Sequence, residues 1–266
     1  MATHMNQATE PRLTIAVITL NEAKRIEQCL RSAAFADELI VVDSGSTDNT
    51  QVLAKRMGAH VFEYTDWQGF GEQRNRLLAH STGEYIFFLD ADEEITPALQ
   101  SEIETAIATA TADKWEVLWN QVAYGKPLSR MRSTSGVTRM FKRSALVRWT
   151  GVVHEHAITN EQVTGTQRFN ARLLHHSRPS VHSSLVKLAQ YAQLGAAKRA
   201  AAGKRGGILR GLASGLANFL RLYIFQGGFL CGPQGFLFCF FIALECFFRY
   251  VALKYDKDLL QQLHKR

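Results

Sequence analysis

The residues best suited to chemistry are Asp90 and Asp92, separated by Ala91 at the end of the apolar run GEYIFFLDADEE. Two carboxylates at i and i+2 ending a buried strand repel one another and are costly to desolvate. A divalent cation relieves both problems. Mg²⁺ is typically held by one or two carboxylates and completed by substrate phosphates and water, and Mn²⁺ accepts the same oxygens. The bland alternative is an acidic turn in which Glu93 and Glu94 cap the following helix.

Other polar residues fall at comparable places. RLTIAVITL ends in Thr19 and is followed by Asn21 and Glu22; ELIVVDSGS delivers Asp43 to a Ser/Gly turn; GEQRN carries Arg74. Asp43 is a candidate acceptor for a base or ribose, or for turn hydrogen bonds alone. Arg74 is a candidate partner of a base or phosphate, or one half of a surface ion pair. Arg139 in RMF is a further candidate phosphate contact. In GVVHEH, Glu155 is the candidate general base, with a loop pairing to Arg148 or His154 as its ordinary reading. His154, His156, His175 and His176 form two pairs, from which His156 or His175 is a candidate metal ligand. VHEH lacks the spacing that places two zinc ligands on one helical face.

The elements that must position these groups alternate. RLTIAVITL, ELIVVD, AHVFEY and GEYIFFLD read as strands. Helices follow over KRIEQCLRSAA, TDNTQVLAKRMGA (capped by Ser46 or Thr47), GEQRNRLLAHS and roughly 97–110. Such alternation predicts a mostly parallel α/β sheet with helices on both faces, whose ligands bind at the carboxyl ends of the strands. WEVLWNQVAYG, VTRMFKR and TQRFNARLLHH read as further strands. From Val181 the pattern becomes helical. The expected organisation is a disordered tail (1–11), a catalytic domain (12–180) and a helical, membrane-associating region (181–266).

The order and spacing of TLNEA, VVDSGSTDNT, GEQRN and FFLDADE resemble the inverting family-2 glycosyltransferases of the GT-A fold. RMF, VHEH and LLHH continue the likeness toward the bacterial lipopolysaccharide core glycosyltransferases. The resemblance implies that Thr19, Asn21, Glu22, Asp43, Arg74, Asp90, Ala91 and Arg139 line a nucleotide-sugar site. It also implies that Asp90 and Asp92 engage Mg²⁺ or Mn²⁺ and the diphosphate, and that Glu155 matches the base of the H-E block. The implied reaction transfers a hexose, from a UDP-sugar first among donors, to a lipid-linked or lipopolysaccharide-core acceptor. Rival classes are a nucleotidyltransferase, for which no Gly-rich phosphate loop with lysine is present, and a non-catalytic nucleotide-binding membrane adaptor.

Bulk properties agree with a globular chain meeting an anionic partner: 266 residues, 46% hydrophobic, 21% charged, net charge +7. Nucleic acid is disfavoured, because the basic residues are not interleaved with aromatics in a recognisable motif. Four cysteines without C-x-x-C spacing suggest buried thiols in a reducing compartment. The polar start shows no secretory signal pattern. The apolar run 235–248 is about fourteen residues, short of the roughly twenty that span a bilayer, and Gly232-Pro233 interrupts it upstream. The expected location is therefore peripheral, on the cytoplasmic face of the bacterial inner membrane. Arg249, Lys254, Arg221, Arg210 and Lys204 would supply the attraction to anionic lipid.

Overall fold

The computed structural model describes residues 12–132, 136–151, 155–163 and 165–256. Two compact units emerge. One comprises Met1–Trp119 with Ser135–His175, the other Asn120–Thr134 with His176–Arg266. The compact units divide at 175/176, and the 120–134 segment belongs to the second of them.

The first unit is built on β1 (Leu13–Thr19), β2 (Glu38–Asp43), β3 (His60–Glu63) and β4 (Tyr85–Asp90), in the order β3-β2-β1-β4 with every pairing parallel. All seven residues of β1 are buried, as a central strand with covered faces requires. Its side chains alternate between two cores. Leu13, Ile15 and Val17 join residues of α1 (Ile26–Ser32), α2 (Thr50–Arg56) and α4 (Pro97–Thr109). Ala16 and Ile18 join Leu77 of α3 (Phe70–His80) and Trp149. Beyond β4 the sheet continues with β8 (Gly136–Lys142), β6 (Lys114–Ala123), β11 (Thr166–Arg178) and β5 (Glu93–Glu94); β4–β8, β8–β6 and β11–β5 are antiparallel. A separate antiparallel pair joins β9 (Leu146–Thr150) and β10 (His156–Thr159).

Two local expectations change. The cap of α4 is Thr96, whose hydroxyl accepts from the Leu99 N–H at 3.2 Å, with Pro97 in the first turn. Glu93 and Glu94 do not cap it. The start of α2 is organised by Asp48, whose carboxylate accepts from the Thr50 N–H at 3.0 Å, and not by Ser46 or Thr47.

In the second unit, β7 (Lys126–Pro127) pairs with the end of β6. Helices α5 (Val181–Ala201), α6 (Ile208–Leu220) and α7 (Gly232–Tyr255) follow. A capping box between Ser180 and Ser183 starts α5. A π turn over Arg221–Phe225 prolongs α6. The fourteen-residue apolar run is only the middle of α7, which has 24 residues. Pro233 starts that helix instead of interrupting it, since a first-turn residue needs no intrahelical N–H partner. By length and composition, Ile208–Phe225 and Gly228–Tyr255 are each sufficient to cross a membrane. The four cysteines are buried and unpaired.

Candidate active site

The carboxyl ends of β1, β2 and β4 bring three polar clusters to one edge of the first unit, as the alternating pattern implies. At β1, Thr19 is buried and its hydroxyl has no hydrogen-bond partner. Asn21 adopts the left-handed region at φ 54°, where Asn is favoured over most residues. Its backbone N–H donates to Ser46 Oγ at 2.8 Å, and its side-chain oxygen accepts from the Thr47 N–H at 2.9 Å. The Glu22 N–H donates to Thr50 Oγ1, and the Glu22 carboxylate pairs with Arg25 at 2.8 Å. The β1 and β2 turns are therefore pinned to one another.

Asp43 is fully buried. Its Oδ1 accepts from the N–H groups of Gly45 and Ser46 and from Gln51 Nε2, and its Oδ2 accepts from Ser46 Oγ. The carboxylate thus holds its own turn in place. Any ligand donor reaching it exchanges with Ser46 or Gln51.

Asp90 is the hub of the site. Arg74 Nη2 donates to its Oδ1 at 3.0 Å, and Arg139 Nη2 donates to its Oδ2 at 2.6 Å. The same Arg139 nitrogen reaches Glu93 Oε1 at 2.5 Å, which also accepts from Trp119 Nε1 at 2.7 Å. Glu93 Oε2 accepts from the Asp90 N–H at 3.0 Å. Burial would raise the Asp90 pKa, but Arg139 and Arg74 outweigh it and hold the carboxyl well below the ordinary value of 3.8. Burial pushes Glu93 up despite Arg139. The two carboxylates in turn push the Arg139 guanidinium up against its own desolvation. Below Asp90, the Cys29 thiol donates to its carbonyl at 3.6 Å; burial and then Glu93 keep that thiol protonated.

Two cations of the chain itself therefore relieve the carboxylate repulsion that the sequence assigns to a metal. Asp92 lies with His175, whose Nε2 is 3.4 Å from its Oδ2. Burial lowers the His175 pKa, but Asp92 foremost raises it further, so the net shift is upward. Among the described residues no group of three or more His, Cys, Asp or Glu is placed to hold a metal ion by itself. One carboxylate beside an imidazole fits an ion that brings most of its shell as phosphate and water, the habit of Mg²⁺.

Glu155, half-buried just before β10, accepts from Arg74 Nε at 3.2 Å. Glu155 thus pairs with Arg74 and not Arg148, while His154 lies outside the described residues. Arg74 is 2% exposed, spans Asp90 and Glu155, and lies 5.1 Å from the centre of the Trp149 ring. His156 is exposed and, with Glu155, Arg74, Arg139 and Trp149, lines a cavity of about 260 Å³. Buried N–H groups on Arg74, Arg139 and Trp149 have no partner, so three of the lining residues carry unused donors.

The local reason for this placement is a lock between α3 and the β9 strand. Asn75 donates to the Trp149 carbonyl at 3.1 Å and accepts from its N–H at 2.7 Å. The Gly71 N–H donates to the Gly151 carbonyl at 3.1 Å, and a Cβ at Gly71 would lie 2.6 Å from that oxygen. Gly71→Ala is expected to cost about 1–3 kcal/mol through forced displacement of this backbone. A shift of the denaturant midpoint measures it; an unchanged midpoint would show that the lock yields freely. Sequence reasoning missed Trp119, Trp149 and the Asn75 lock, and it offered Glu93 as a helix cap, not as the buried partner of Arg139. The only signal was proximity to DAD and RN.

A family model, "Glycosyl transferase family 2", matches residues 14–148, which carry every strand of the parallel half together with Arg74, Asp90, Asp92 and Arg139. The chain belongs to glycosyl transferase family 2. The family-2 chain is 29% identical over 237 residues to the lipopolysaccharide core biosynthesis glycosyltransferase LpsC of Rhizobium meliloti, covering 85% of this chain and 87% of that one. It is 27% identical over 267 residues to an uncharacterized glycosyltransferase of Rickettsia bellii, covering 94% and 88%. The crystal structure of S. aureus TarS in complex with UDP-GlcNAc superposes with a TM-score of 0.50 at 20% identity, over 65% of this chain and 60% of that one. The fold is thus GT-A-like, and the family-2 protein is a glycosyltransferase. The nucleotidyltransferase and non-catalytic adaptor readings give way to it.

Proposed function

We propose that this glycosyltransferase moves a hexose from a nucleotide-sugar, first a UDP-sugar, to a lipid-linked or lipopolysaccharide-core acceptor, with inversion at the anomeric carbon. The observation that carries the reading is the Asp90–Arg74–Glu155 bridge. It fixes a carboxylate beside a cavity lined by Arg74 and Arg139 and ties it to the end of β4. The likeness to LpsC supports the acceptor class, and the ligand of TarS illustrates the donor class on a similar fold.

In a single displacement, the acceptor hydroxyl attacks the anomeric carbon while the bond to the nucleoside diphosphate breaks. Glu155 accepts the hydroxyl proton, oriented by Arg74 Nε. Arg74 and Arg139 hold Asp90 in place, and Thr19, Asn21, Glu22, Asp43, Ala91 and Asp90 line the strand-end edge on which the donor lies. Asp92, with His175 next to it, would hold Mg²⁺ or Mn²⁺ together with the diphosphate. When bound, the ion stabilises the charge that develops on the leaving diphosphate. The enzyme works at the cytoplasmic face of the bacterial inner membrane, where such acceptors are displayed.

The test is release of nucleoside diphosphate from a panel of UDP-, GDP- and CMP-sugars, with Mg²⁺, Mn²⁺ or chelator. We expect one donor class to support metal-dependent release. Asp92→Ala is expected to lower that release by more than about 10²-fold, the scale of losing several kcal/mol of electrostatic stabilisation. Full turnover by Asp92→Ala, or undiminished turnover in chelator, would remove the metal from the reading.

A further inference from the structure

Helix α6 has two unlike faces, and its glycines decide which is which. Gly211 and Gly215 are buried, and a Cβ on either would lie 2.8 Å from the Phe247 carbonyl or 3.0 Å from the Ala243 carbonyl of α7. Small residues four apart are what allow two helix backbones to approach this closely. The side of α6 away from them carries Leu209, Leu212, Leu216 and Leu220, spaced three or four apart. Leu209 is 82% exposed, and Phe225 at the end of the π turn is 75% exposed. Phe229, Leu230, Phe236 and Phe240 add exposed apolar surface from the following segment. Between α6 and α7 runs a groove of about 450 Å³ lined by apolar side chains and Gly215, among them Leu216, Phe219, Phe240 and Phe247.

The segment that carries most of this face is basic. From Gln162 to Leu244 the sequence contains no Asp or Glu, but ten Lys and Arg. Arg205, Arg210 and Arg221 are exposed at and around α6. The next carboxylate, Glu245, is buried and ion-paired with Arg178. A contiguous apolar face of this kind marks an interaction surface, and basic residues flanking it select a negatively charged one.

We propose that the α6–α7 face docks on the surface of an anionic phospholipid leaflet, with one acyl chain entering the groove between the helices. The proposal rests on the reading that the acceptor is lipid-borne, and it names the surface that meets the lipid. The helices lie on the leaflet and do not cross it. A crossing α7 would carry the Arg178–Glu245 pair and Arg249 toward the hydrocarbon, whereas an interfacial α6 leaves Arg210 and Arg221 among the headgroups.

Co-sedimentation of the full chain with vesicles tests this directly. Binding to phosphatidylcholine vesicles containing phosphatidylglycerol is expected to exceed binding to phosphatidylcholine alone by about tenfold or more. It should fall by a similar factor when NaCl rises from about 0.1 M to about 1 M. Leu209→Glu and Phe225→Glu, both at exposed positions, should each weaken vesicle binding about tenfold while leaving nucleotide-sugar affinity unchanged. Tryptophan placed by Phe240→Trp should be quenched by vesicles with brominated acyl chains. Equal binding to neutral vesicles that resists high salt and alkaline extraction would mean that the helices span, and would overturn the proposal. Loss of self-association in Leu209→Glu with vesicle binding intact would assign the face to a second copy of the chain. Because nucleotide-sugar affinity is read separately, failure of docking and failure of the donor reading are distinguishable.

Discussion

Glu155→Gln is expected to lower turnover by about 10²–10⁴-fold with little change in donor affinity, the range typical for removing a positioned general base. The substitution keeps the size of the side chain and an oxygen that Arg74 Nε can still donate to at the observed 3.2 Å. What it removes is the capacity to accept the hydroxyl proton. The measurement is steady-state kinetics beside equilibrium binding of the donor. A variant that loses donor affinity and keeps turnover would assign Glu155 to donor binding and not to proton transfer. Gly71→Ala provides a useful contrast, because it acts on the lock that positions Arg74 and not on the proton acceptor.

Arg139→Met has the largest expected effect on stability, about 3–5 kcal/mol, the cost of leaving a buried charge unpaired. Arg139 is 2% exposed and bonds two carboxylates, Asp90 and Glu93, of which Glu93 is 1% exposed. Removing the guanidinium leaves Glu93 without a cation and Asp90 with Arg74 alone. In the native protein the Asp90 carboxyl is held below its ordinary 3.8, so its contribution is present above that value and is lost as pH falls toward the folded value. In Arg139→Met, burial without that cation pushes Glu93 further upward, and it can relieve its cost by taking a proton, while Arg74 still holds Asp90. The deficit is therefore expected to be largest at neutral pH and to shrink on acidification. Glu93→Gln added to Arg139→Met should recover part of the loss, because the two changes share one interaction. Denaturant unfolding at pH 7 and pH 5 checks both statements. A deficit that is constant with pH would show lost packing and not stranded charge.

The parallel half of the fold was legible because each strand had a continuous apolar run and each ended in polar residues. Leu13, Ile15 and Val17 against Ala16 and Ile18 divide between two cores as a period of two requires. The pairing of Arg139 with Asp90 was not legible, since the two are 49 positions apart and meet only because β4 and β8 lie side by side. The burial of Glu93 was not legible, because no local pattern reports that Trp119, on β6, will donate to it. The length of α7 is hidden for another reason: Pro233 reads as a break in the sequence but starts the helix. The Asn75 lock on Trp149 joins an interior helical residue to the backbone of a distant strand, and side-chain type alone does not predict that partner.

The two arginines on Asp90 also govern the enzyme between turnovers. A cluster of bare carboxylates would depend on a captured ion to stay folded, and would be left strained each time product departs. Here the resting protein is balanced by its own side chains, so chelation is expected to stop chemistry without shifting the melting temperature. The fold does not have to be reassembled before the next donor arrives, and an idle molecule keeps its shape when divalent ions are scarce.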